Sequence, residues 1–224
     1  MNNMILIGNF RGGVGKTFLS TSISEEYRNR GLKTLAVDTD PQANMYSWLS
    51  GQKAKKRGDY FKIDEHLTVL SSPIKEAGDL PKIKADNYDR IIIDTPPNAD
   101  ALTEIVLTWK PKIVLIPITA RLSRDGAVEV MKIVKEVSPG SVVIGVLNNL
   151  PPVHTPFYQE LCKKGREIGV KMHHSPIRHS TWAVRAEEEG VGLGKIRGKG
   201  RGREAFLTDL KALTETVELY YNGN

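Results

Sequence analysis

The sequence contains a single cysteine, Cys162, so no disulfide closes within the chain, and a reducing compartment suits it. Cys162 falls in an expected helix, where a core or flanking place fits better than catalysis. Long apolar runs are missing too: no window approaches the roughly eighteen consecutive apolar residues of a membrane span. The opening Met-Asn-Asn has neither the cationic nor the apolar region of a secretory signal. These absences exclude a disulfide scaffold and a helical membrane protein, and make a cytoplasmic location the expectation. No internal repeat or low-complexity linker interrupts the chain. Aromatic residues are scarce at 7%, but hydrophobic residues make up 40%, which is ordinary for a soluble core. At 224 residues the chain has the length of one α/β domain, so residues 1–224 are expected to form a single domain. A net charge of +6 and a pI near 9.3 permit contact with nucleic acid or an anionic membrane without choosing between them.

What the sequence does contain is organised around Gly8 to Thr17, Gly-Asn-Phe-Arg-Gly-Gly-Val-Gly-Lys-Thr, entered from the apolar run Met4 to Ile7. A buried strand feeding a glycine-rich loop, then an amphipathic helix with Leu19, Ile23 and Tyr27 on one face, is the pattern of a phosphate loop. Gly12, Gly13 and Gly15 allow positive φ and let backbone N–H groups approach an anion; Lys16 adds a point charge and Thr17 a hydroxyl for Mg²⁺. Gly12, Gly13, Val14, Gly15, Lys16, Thr17 and Phe18 are therefore the candidate nucleotide contacts.

Two further apolar strands end in carboxylates. Thr34 to Asp38 runs into Asp38-Thr-Asp40-Pro-Gln42-Ala-Asn44, and Tyr88 to Asp94 runs into Thr-Pro-Pro97. Acidic groups just past the C-terminal ends of parallel strands sit where α/β sheets bind ligands, so Asp38 and Asp94, with Thr17, are candidates for Mg²⁺ and its water shell. Helix capping is the alternative use of the Asp38 to Asn44 turn. Further strands are expected over Leu67 to Leu70, Lys112 to Ile116 and Val142 to Leu147, and further helices over Gly126 to Val137 and Phe157 to Ile168. Alternating strands and helices imply an α/β fold: a mostly parallel twisted sheet with helices on both faces.

The segment Arg11-Gly-Gly-Val-Gly-Lys-Thr17 resembles the deviant Walker A motif of the ParA/MinD ATPases, and Asp38 to Gln42 and Asp94 to Pro97 resemble the Asp-x-Asp-Pro-Gln and Asp-Thr-Pro-Pro motifs of that family. Arg11 stands where the family has its signature lysine, which reaches across a nucleotide-sandwich dimer. The resemblance covers nearly the whole chain and implies a P-loop NTPase of the deviant Walker A type. It further implies Mg-ATP as the ligand, Asp40 as the residue that positions the attacking water, and Lys16, Asp40 and Arg11 as the catalytic set. It implies that Asn148 recognises adenine, although an Asn at that place also serves a turn, and that the Pro176 loop lines the base pocket.

The tail from Gly194 to Arg203 holds five cations, Lys195, Arg197, Lys199, Arg201 and Arg203, and no acid. It resembles a ParA segment that contacts DNA, which makes non-specific DNA the expected partner; a solvated loop is the alternative. A second basic cluster, Lys53 to Lys62, reads first as a solvated loop and only then as a DNA contact. Adjacent His173 and His174 read as surface residues rather than metal ligands, since no Cys/His set accompanies them. The last helix, Glu204 to Tyr221, has an apolar stripe but four acids against the single Lys211, which suits core packing better than a membrane anchor.

The expected activity is thus that of a ParA-type ATPase: an ATP-dependent homodimer, nucleoid-associated, that positions a cargo such as a plasmid and hydrolyses ATP when a ParB-like or other adaptor stimulates it. The alternatives are a MinD-like membrane regulator and a small-molecule ligase of the dethiobiotin-synthetase type.

Overall fold

The computed structural model describes residues 3–74, 80–119, 124–150, 156–196 and 201–223. Its centre is β1 (Met4–Ile7), flanked by β5 (Arg90–Asp94) and β6 (Ile113–Ile118), with β2 (Thr34–Asp38) beyond β5 and β7 (Val142–Leu150) beyond β6. Outward from β2 lie β4 (Leu67–Ser71) and then β3 (Asp59–Lys62); outward from β7 lie the short strands β8 (Lys171–Met172) and β9 (Ile177–Arg178). All pairings are parallel except that of β3 with β4.

The central strands read as unbroken apolar runs because both of their faces are covered. Met4 and Leu6 of β1 face one way, against α3 (Ala99–Trp109), α4 (Arg124–Val137) and α5 (Pro156–Glu167). Ile5 and Ile7 face the other way, against α1 (Lys16–Asn29), α6 (Thr181–Glu189) and α7 (Arg201–Tyr221). α2 (Asn44–Ser50) packs Met45, Tyr46 and Leu49 onto β2 and β4.

The apolar stripe of α7 is spent on this core. Phe206, Leu210, Leu213 and Val217 are buried, Leu207 and Tyr220 pack at the margin, and Phe206 meets Phe18 of α1 at 5.5 Å. At its end, Glu218 accepts from Nε (2.9 Å) and Nη2 (2.5 Å) of Arg90, whose guanidinium also lies 3.8 Å from the Tyr221 ring centre. Among the described residues no helix is long and apolar enough to cross a membrane.

Three readings of the sequence change here. The Lys53 to Lys62 cluster is not all loop: its last four residues form β3, the antiparallel edge strand. The tail does not remain loop as far as Glu204, because Lys195 closes a 3-10 turn over Leu193–Lys195 and α7 already begins at Arg201; Arg197 and Lys199 lie outside the described residues. His173 is not a surface residue. It is 1% exposed, packed edge-on against His174 at 4.5 Å, with Nδ1 3.1 Å from Thr216 Oγ1 of α7.

Burial, helped by His174, pushes His173 down to about 4, against the opposing pull of Asp209. His173 is therefore neutral in the folded chain, while the unfolded chain takes up a proton near pH 6.5. The stability it contributes is complete above pH 6.5 and is lost as pH falls through 4, by up to about 3 kcal/mol. Urea midpoints measured from pH 7 to pH 4 should fall more steeply for the wild type than for His173→Asn; equal slopes would show that His173 titrates normally.

Candidate nucleotide and magnesium site

The site lies at the C-terminal edge of the parallel strands, as α/β geometry requires. Gly13 (φ 72°) and Gly15 (φ 85°) take the left-handed backbone that the loop needs. At Gly15 the constraint is doubled, because an added Cβ would fall 2.2 Å from Asn148 Nδ2. That amide donates to Val14 O at 3.0 Å, so the end of β7 pins the loop from the side. Asn9 pins it from below, accepting the Arg11 N–H at 2.9 Å and donating to Pro117 O at 3.0 Å.

Lys16 is buried, and its Nζ donates to the carbonyl of Arg11 at 2.9 Å. Burial pushes its ammonium down, and the nearby Asp94 and Asp40 charges partly offset this. Thr17 Oγ1 donates to Asp94 Oδ2 at 2.7 Å, and Ser20, one turn further along α1, donates to Asp94 Oδ1 at 3.0 Å. Asp38 is the register partner of Asp94 on the neighbouring strand. Its two oxygens accept the backbone N–H groups of Asp40 (3.1 Å) and Tyr46 (2.8 Å), which folds the Asp40 turn onto the strand end. Asp40 is half-buried, and its Oδ1 accepts the Gln42 N–H at 2.8 Å.

Asp38 and Asp94 are both fully buried. Burial pushes Asp94 up to about 6, against the Thr17 and Ser20 hydroxyl bonds; burial and the Asp94 charge push Asp38 well above the usual carboxylate range. Two adjacent buried carboxylates in this state are stabilised by a cation, and the hydroxyl of Thr17 stands beside them. Among the described residues no group of three or more His, Cys, Asp and Glu side chains gathers into a metal cage. The donor set therefore suits Mg²⁺, which keeps waters and takes one or two carboxylates plus phosphate oxygens.

Beside the loop opens a cleft. Gly13, Val14, Gly15 and Phe18 form one wall, and Asn148, Thr119, Arg178, Ser180, α6 and Phe206 form the rest. Ser180 is 5% exposed, and its Oγ is buried without a hydrogen-bond partner. Pro176 is half-buried and does not line the cleft; that wall is supplied just beyond it by Arg178 and Ser180. Arg178 is held by Asp209 of α7 through Nε (2.6 Å) and Nη2 (2.8 Å).

A glycine-rich loop, a buried lysine and two neighbouring strand-end carboxylates, one of them bonded to a threonine hydroxyl, thus lie together at one edge of the sheet. The description "CobQ/CobB/MinD/ParA nucleotide binding domain" fits residues 5–221. The chain belongs to that family. Within it, the chain is 25% identical over 202 residues to the maintenance of carboxysome distribution protein A of Halothiobacillus neapolitanus, covering 88% of this chain and 89% of that protein. It is 27% identical to the sporulation initiation inhibitor protein Soj of Bacillus subtilis, over 92% of this chain and 96% of Soj. The fold is that of the septum site-determining protein MinD of Pyrococcus horikoshii, solved with Mg-ADP: TM-score 0.73 at 18% identity, over 98% of this chain and 99% of that one.

Arg11 is exposed, with its guanidinium 6.0 Å from the Phe10 ring centre. In the tail, Lys195 Nζ donates to the α2 carbonyls Trp48 O (3.0 Å) and Leu49 O (2.7 Å), and Arg203 Nε is buried without a hydrogen bond. Arg201 lies in the first turn of α7. Ser20, Ser180 and the Arg178–Asp209 pair are the site residues that motif reading passed over. Ser20 alone had a signal, since it lies three residues after Thr17 on the same helix face.

Proposed function

We propose that the chain is a single-domain ParA-type ATPase that dimerises on Mg-ATP, binds DNA without sequence preference and positions a cargo, with hydrolysis stimulated by an adaptor. The observation that carries this reading is the junction of Asp38 and Asp94. One carboxylate organises the Asp40 turn through two backbone amides, and the other holds Thr17 at the mouth of the phosphate loop. A P-loop built only to grip a nucleotide needs no acidic turn beside it.

In this reading the amides of Gly12 to Thr17 and the ammonium of Lys16 hold the phosphates of ATP, with Lys16 exchanging the Arg11 carbonyl for a phosphate oxygen. Thr17 and Asp94 would hold Mg²⁺, which would neutralise charge developing on the phosphoryl oxygens. Asp38 keeps the turn in register, and Asp40 orients the attacking water rather than acting as a strong base. Asn148, which lines the cleft beside the loop, reads the base. The apolar stripe of α7 is spent on the core, which weighs against its use as a membrane anchor. Size-exclusion chromatography with ADP, ATP and an unhydrolysable analogue tests the cycle. A dimer is expected with the analogue and a monomer with ADP; a single elution volume under all conditions would remove dimerisation from the reading.

A further inference from the structure

The first cation of the basic tail is anchored on the helix that leads into the other basic run of the chain. Lys195, at the start of the basic tail, places its ammonium on the last carbonyls of α2, although 147 residues separate it from Trp48. Three residues beyond that helix, Lys53 begins the second basic run. Burial lowers the Lys195 ammonium and Glu25 restores part of its charge preference, as for a cation committed to the protein. The helix between has seven residues, and on its other side lies the Asp40 turn.

The 53–62 lobe is built rather than loose. Its only acid, Asp59, turns inward: one oxygen accepts the N–H groups of both Lys55 (2.5 Å) and Lys56 (3.0 Å). Gly58, at φ 83°, donates its N–H to Ser71 O at 2.7 Å and seats the lobe on β4. The single negative charge is thereby used inside the lobe, while Lys53, Lys55, Lys56 and Lys62 stay exposed. Because β3 is antiparallel, its first residue pairs with Ser71, which pairs with Asp38, which pairs with Asp94. Three inter-strand steps put the lobe about 14 Å from the Mg²⁺ carboxylate, at the same end of the sheet.

We propose that the 53–62 lobe is a contact surface for the phosphate backbone of duplex DNA, set beside the Asp40 turn and propped by Lys195 acting as a positioning residue. The proposal rests on the DNA-binding reading above and moves the footprint from the tail to the sheet edge. Lysines are hydrated point charges that fit phosphates without reading base edges. Apolar anchors of the kind that concentrate affinity in protein interfaces are few here, since Tyr60, 57% exposed, is the only large hydrophobic side chain on the outer face of β3. An acidic protein is therefore the weaker fit.

The test combines Lys55→Ala, Lys56→Ala and Lys62→Ala. The bonds to Asp59 come from backbone N–H groups, so these changes leave the lobe folded. Affinity for two unrelated duplexes is measured by fluorescence anisotropy across a salt series with an unhydrolysable ATP analogue, alongside ATP turnover without DNA. Both duplexes should bind more weakly to the same degree, the slope of log K against log salt should flatten by about 2 to 3 for three lost phosphate contacts, and basal turnover should hold within about twofold. A triple variant with wild-type affinity and slope would overturn the lobe and leave DNA binding to the tail. A wild type that binds no duplex at any salt would overturn the DNA reading itself. If polyglutamate of matched charge displaces the duplex and depends equally on the three lysines, the surface belongs to an acidic protein instead.

Discussion

Replacing Asp40 with alanine should leave ATP bound and lower its steady-state hydrolysis by roughly 10²- to 10⁴-fold, the usual weight of a group that orients a nucleophile. The Asp40 carboxylate takes no part in the loop that grips the phosphates: its Oδ1 accepts the Gln42 N–H, and the turn is anchored by the neighbouring Asp38. Removing the side chain therefore spares the binding groups. Lys16→Ala should do the reverse. It deletes a charge-assisted bond in a buried site and should weaken ATP binding by roughly 10- to 100-fold. Equilibrium binding of a fluorescent ATP analogue, paired with phosphate release, separates the two. Wild-type turnover in Asp40→Ala would end the assignment of that residue.

The second large effect is expected at Arg11. If its exposed guanidinium crosses to the phosphates of a second subunit, Arg11→Ala stays monomeric with the unhydrolysable analogue and loses roughly 10³-fold or more in turnover, the scale of an arginine supplied to a phosphoryl group. Arg11→Lys, which keeps the charge but not the planar fork, should restore dimerisation in part. Light scattering reads the mass directly. An Arg11→Ala protein that dimerises like the wild type would show that another residue makes the crossing contact.

The strands that carry chemistry were legible because they are buried on both faces and end in a carboxylate: Thr34 to Asp38 was readable to the residue, and Asp94 followed from the Ile91 to Ile93 run. β3 was not. With four residues, Asp-Tyr-Phe-Lys, and one flank of lysines, its period of two is hidden by charge, and only pairing with β4 makes it a strand. His173 looked polar and therefore superficial, but α7 closes over it, a contact between parts of the chain 43 residues apart that no local pattern encodes. The same holds for Arg178 with Asp209 and for Lys195 with α2: the residues are ordinary surface types, and their roles come from the partner that tertiary packing sets opposite them.

The bond from Lys16 to the main-chain carbonyl of Arg11 means that the loop is already self-ligated before any phosphate arrives. In the ATPase reading, nucleotide entry would be a substitution in which an anionic phosphate oxygen displaces a neutral carbonyl at the same ammonium, and the gain at that atom would be the difference between a charge-assisted pair and an ion–dipole bond. What changes is the peptide released. With Lys16 on a phosphate, the Arg11 peptide would lose the bond that holds it, and the exposed guanidinium would be free to move with it. In that reading one residue would serve as both the outgoing ligand and the moving arm, so occupancy of the phosphate site would be reported at the surface through a single peptide.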